Sequence, residues 1–161
     1  MRSLATNLAL ALLATCTGCT EPPGMSALPH SDDSLVLRTD FSDDRAWASV
    51  RASIVAPVGL FRANVTFVDD RRYEGLTIER LLQLAPEDSG PTFVFLVDRE
   101  TLTHPEHPVL VVDLFDERGR FFRVIPSQMW GVENNLSLAN MDWDDFADNV
   151  DADGVFRDFP R

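Results

Sequence analysis

The stretch from His107 to Phe146, HPVLVVDLFDERGRFFRVIPSQMWGVENNLSLANMDWDDF, constrains this chain more than any other. Its apolar run through Leu114 is followed by Asp116-Glu117-Arg118-Gly119 and then by Arg120 to Ile125, which predicts two strands joined as an antiparallel hairpin. Pro126 ends the second strand because it has no N–H for a ladder. Ser127 is the expected N-cap of the next helix, on which Met129, Val132, Leu136 and Ala139 form one apolar stripe. That phasing puts Trp130, Glu133, Asn134 and Ser137 on the opposite side. After Asn140, Asp142 is placed to cap a last helix. Its Trp143, Phe146 and Val150 would face inward, while Asp144, Asp145 and Asp148 face water.

Upstream, Ser34 to Asp40 alternates apolar and polar residues as a strand does. Ser42 is the expected cap of a helix carrying Trp47, Val50 and Ile54 and stopping before Pro57. Phe61 to Val68 reads as a second strand, and Thr77 caps a short helix from Ile78 to Leu84. Thr92 to Val97, TFVFLV, is apolar almost throughout, the pattern of a strand covered on both faces. Three strands separated by helices imply parallel pairing through right-handed crossovers. The expected fold class is therefore α/β: a mixed five-stranded sheet, three strands linked by helical crossovers plus the C-terminal hairpin, flanked by about four helices. At 161 residues and 45% hydrophobic, the chain has the size of one core.

Residues 1–18, MRSLATNLALALLATCTG, have the outline of a lipoprotein signal, with a short apolar run and Cys19 as the lipidation candidate. Residues 19–33 read as a tether and 34–161 as the single domain. On this reading the protein is exported and lipid-anchored. A translation start at Met25 is the alternative, and it would leave a cytoplasmic protein. Both cysteines, Cys16 and Cys19, precede the domain, which excludes a disulfide framework or a thiolate zinc site within it.

Net charge is -12, and all 14 basic residues are arginine. A nucleic-acid partner needs a basic footprint to displace counterions, and no cluster exists beyond Arg71 and Arg72. Contact with a membrane is expected only through the anchor at Cys19. The acidity favours encounter with a basic protein.

Three passages, SLVLRTDFSDD at 34–44, LTHPEHPVLVVDL at 102–114 and MWGVENNLSLANMDWDDF at 129–146, together resemble a bacterial, mainly actinobacterial, domain-of-unknown-function family of short acidic proteins. The resemblance runs from about Leu28 to Phe159, with MWGVENN its most specific part. It implies no activity, cofactor or site residue.

Four groups of residues carry chemical interest. Asp40, Asp69, Asp70, Asp98 and Asp116 each follow an expected strand, and ligands of open α/β sheets collect beyond strand carboxyl ends. Several of them could hold a hard divalent cation through oxygen. His104 and His107, in THPEHP, could join Asp98 or Glu106 in a three-ligand metal or acid–base site. Asn149 to Gly154 imitates a calcium loop, but its twelfth position is Pro160 where a bidentate Glu belongs, so it reads as a helix-ending turn. Trp130, Glu133, Asn134 and Asn135 suit a protein-binding surface if the helix is phased as expected. Alternatively the last helix folds over Trp130, with Gly131 permitting close approach. No Gly-x-Ser-x-Gly and no phosphate-cradling glycine loop occurs. The expected function is a non-enzymatic, cofactor-free protein-binding module, immunity-like in size and charge, that engages a basic protein. The alternative is a metal-dependent enzyme built on the strand-end aspartates.

Overall fold

The computed structural model describes residues 27–85 and 90–160. The expectations for the signal segment, Cys19 and Met25 lie outside the described residues. Among the described residues no helix is long and apolar enough to cross a membrane.

Six strands form one mixed sheet: β1 (Ser34–Arg38), β2 (Val65–Val68), β3 (Phe93–Val97), β4 (Val109–Asp113), β5 (Phe121–Val124) and β6 (Val155–Phe156), in the order β2-β1-β3-β4-β5-β6. Around them lie α1 (Asp44–Val55), α2 (Ile78–Leu84), α3 (Arg99–Thr103), α4 (Met129–Ser137) and α5 (Trp143–Ala147). β1 pairs in parallel with both β2 and β3, as the crossover argument requires. β4 runs antiparallel to β3 and to β5. The expected hairpin is present, and Gly119 (φ 93) occupies the left-handed position of its turn. The sixth strand is the correction to the expected five. Two residues are too few to show periodicity, and β6 exists because Val155 and Phe156 complete the sheet beside β5.

Every residue of β3 and β4 is buried, which follows from their central position and from helices on both faces. One core holds Trp47, Val50 and Ile54 of α1, Met129 and Val132 of α4, and Trp143 and Phe146 of α5, packed on Val36, Phe95, Val111 and Phe122. The other holds Leu81 and Leu84 of α2 with Tyr73, packed on Leu35, Leu37, Leu96 and Leu110. The alternation Leu35/Val36/Leu37 thus feeds two layers, one residue to each in turn.

Several local expectations change. α1 is capped by Asp43 and not Ser42, because the Asp43 carboxylate accepts from both Arg45 N and Ala46 N at 2.9 Å. Thr77 caps α2 as expected. Ser127 caps nothing; Pro126–Gln128 form a 3-10 turn running into α4. β2 begins only at Val65, since Phe61 pairs back on Val58 instead of entering the sheet. A short helix, α3, not expected from the sequence, connects β3 to β4 and is capped by Asp98.

Candidate functional site

The two edges of the sheet differ in how their charges and rings are used. At the carboxyl ends of β1, β5 and β6, three arginines collect carboxylates. Arg38, 3% exposed, donates to Asp44 Oδ1 at 2.6 Å and Asp69 Oδ1 at 3.3 Å, and its guanidinium lies 4.3 Å from the Phe41 ring centroid. Arg123 donates to Asp98 Oδ2 at 2.6 Å, to Glu100 at 2.9 Å and to the Pro108 carbonyl. Arg157 binds Glu106, Asp151 and Asp153 at 2.7 to 2.9 Å. Burial pushes Asp98 toward its neutral form, but Arg123 and the Thr101 N–H outweigh it and hold the carboxyl below its ordinary value. Asp153 is held at about 2, chiefly by its hydrogen bonds from Arg157.

Four of the aspartates singled out from the sequence have hydrogen-bond partners within the domain. Asp69 accepts from Arg38 and from Trp47 Nε1, and Asp98 accepts from Arg123 and Thr101. Asp40 accepts from Ser42 N, and Asp70 from Arg72. Asp116 is on the opposite edge, because β4 runs antiparallel and its carboxyl end points the other way. His104 Nδ1 accepts from Glu106 N, while His107 Nδ1 bonds the Thr101 carbonyl at 2.8 Å and the residue sits at φ 51. These groups shape the loop into β4. Among the described residues, no three of His, Cys, Asp and Glu come together so as to hold a metal ion. Asp151 and Asp153 of the calcium-like segment lead into β6 and serve Arg157.

The amino edge carries the aromatic features. Trp130, half-buried, stacks on Phe61 with ring centroids 4.5 Å apart and an interplanar angle of 13°. It packs against the core that also holds Trp143 and Phe146 of α5, but nothing stands within 4 Å of where a Cβ on Gly131 would be, so Gly131 itself makes no close approach. Phe61 belongs to a two-residue hairpin: Val58 N donates to Phe61 O at 2.8 Å and Phe61 N to Val58 O at 3.1 Å. Gly59 at φ 64 takes the first central position, where a II′ turn needs a positive φ. Leu60 is left at the tip, 98% exposed, with Val58 38% and Phe61 57% exposed beside it.

Glu133, expected on the outer face, is 4% exposed. Its Oε2 accepts from Asn64 N at 3.0 Å, and its Oε1 from Ser34 Oγ at 3.3 Å and Ser137 Oγ at 3.1 Å. It therefore ties α4 to the starts of β1 and β2. The apolar stripe is correspondingly narrower than expected, with Ala139 exposed at φ 51 beyond the helix. Asn134 is exposed, and Asn135 donates to the Gly131 carbonyl at 2.8 Å. Of the four residues read as a surface, Asn134 is exposed, Trp130 and Asn135 are half-buried, and Glu133 is buried. Phe61 and Leu60 were missed. The Gly-Leu pair between Val58 and Phe61 was the available turn signal, masked by reading Phe61 into β2.

Fold and site together define a single-sheet α/β domain whose carboxyl edge is closed by ion pairs and whose amino edge presents apolar side chains. The chain belongs to a family described as a domain of unknown function, DUF6924, whose model matches residues 33–159. A comparison with curated proteins finds no match.

Proposed function

We propose that this domain is a non-enzymatic protein-binding module, immunity-like in its size and charge, that engages a basic protein through the Leu60–Phe61–Trp130 surface. The observation that carries this reading is the hairpin. A tight turn closed by two backbone hydrogen bonds holds a leucine almost wholly in water, and the neighbouring Phe61 stacks on Trp130. Burying such a side chain in a partner releases roughly 1.5–3 kcal/mol, and a pre-ordered turn loses little entropy on binding. Aromatic anchors of this kind dominate interface energetics. The net charge of -12 adds long-range attraction for a basic partner.

Cross-linking from native lysate followed by mass spectrometry is the test. A basic protein should be captured by the wild-type chain, and Leu60→Ser and Trp130→Ala should each weaken its binding by more than about 1 kcal/mol. Capture unchanged in both variants removes this surface from the interface.

A further inference from the structure

We propose that a second site, beneath the connection from α4 to α5, binds an organic ammonium ion. A cavity of about 170 Å³ opens there, lined by Phe93, Phe115 and Trp143, by Met141, and by the carboxylate-bearing Asp116 and Asp142. The volume is below the roughly 300–1,000 Å³ of pockets for drug-sized ligands, which suits a headgroup and not a nucleotide. Aromatic faces attract cations through their quadrupole, and quaternary or alkylated ammonium groups are the ions that aromatic cages select.

The carboxylates support the same sign of charge. Elsewhere in the domain many acidic groups are matched by arginine, but Asp116 and Asp142 make no ion pair among the described residues, Asp142 serving with Asp145 as the capping box of α5. Asp113, which also borders the cavity, is committed to the Phe115 and Glu117 backbone N–H groups. Trp143, nine-tenths buried and packed edge-to-face on Phe122, forms part of the cavity wall. The ammonium can come from a free small molecule or from a lysine side chain.

This inference goes beyond the protein-binding reading, since it uses a different cavity and none of the Leu60 surface. Choline and Nα-acetyl-lysine amide serve as probes for the two sources, with 3,3-dimethyl-1-butanol as the uncharged copy of choline. Titration is followed by the indole N–H resonance of Trp143 in the full chain. Choline or the lysine amide should shift it saturably, the better of the two identifying the source, and the neutral alcohol should bind at least about tenfold more weakly. Phe115→Ala and Asp116→Asn, both at exposed positions, should each weaken binding roughly fivefold with the circular dichroism spectrum unchanged. The proposal is overturned if neither cation saturates, if the neutral alcohol matches choline, or if both variants bind as the wild type does. Leu60→Ser should leave the titration untouched, which separates failure here from failure of the protein-binding surface.

Discussion

The carboxyl edge of the sheet and its amino edge are built from the same kinds of residue and finish in opposite states. At the carboxyl edge, Arg38, Arg123 and Arg157 each bind two or three carboxylates, so charge that could serve a ligand is consumed internally. At the amino edge, Leu60, Phe61 and Phe115 stand in solvent, and Asp116 and Asp142 have no cationic partner among the described residues. Strand polarity alone would put the ligand site at the first edge. Arginine is not what separates them, since Arg120 at the start of β5 also binds Glu117, Asp144 and Asp148; the amino edge differs in the apolar side chains it leaves in solvent.

The sharpest way to break this contrast is to remove the best-buried arginine. Arg38→Ala withdraws a guanidinium that is 3% exposed, together with its bonds to Asp44 and Asp69 and its packing on Phe41 and Trp47. The expected loss is about 3 kcal/mol, at the low end of the range for breaking buried pairs because Asp44 can rehydrate. Urea unfolding measures it. A loss below about 1 kcal/mol would mean that these pairs are surface decoration and that the carboxyl edge is not closed in any energetic sense. Asp98→Ala follows at about 2 kcal/mol, since it removes both the cap of α3 and the Arg123 pair.

Acid should act on the same edge. Asp98, Glu106 and Asp153 all have folded-state values below their ordinary ones, so the unfolded chain takes up protons first as pH falls. The stability they contribute is complete above the ordinary carboxylate range and is lost as pH drops through the folded values. For Asp153 that window runs from 3.8 down to about 2. Carboxyl carbon shifts followed by NMR should show Asp153 titrating near the bottom of it, and Arg157→Gln should raise Asp153 toward its ordinary value, the Val155 N–H holding it somewhat below. No change in that variant would detach the shift from the ion pair.

How much of this was legible in the sequence follows from what each feature depends on. The hairpin from β4 to β5, the buried strand at 93–97 and the inward faces of α1 and α5 are local patterns, and burial only completes what periodicity begins. The carboxylate pairings are not local. Glu133 meets residues 69 and 99 positions away, and Arg157 meets Glu106 across 51. A helix wheel therefore placed Glu133 in water, when the start of β2 supplies a backbone N–H for it. Phe61 was hidden for a related reason: alternation from Phe61 to Val68 fits a strand, and only the positive φ at Gly59 shows that the chain turns back first.

Leu60→Ser carries the smallest expected effect on stability and bears most directly on the amino edge. A side chain that is 98% exposed makes almost no contacts to lose, so the unfolding free energy should move by less than about 0.5 kcal/mol. Phe61→Ala should cost about 1 kcal/mol, because its stack on Trp130 disappears. The pair separates two explanations of an exposed leucine. If Leu60 supports the fold, the serine variant unfolds at visibly lower urea concentration and partner capture falls only in proportion. If it serves recognition, stability holds while capture collapses, and the largest loss of binding coincides with the smallest loss of structure. That dissociation is the reverse of what Arg38 should show, where the loss lies chiefly in stability.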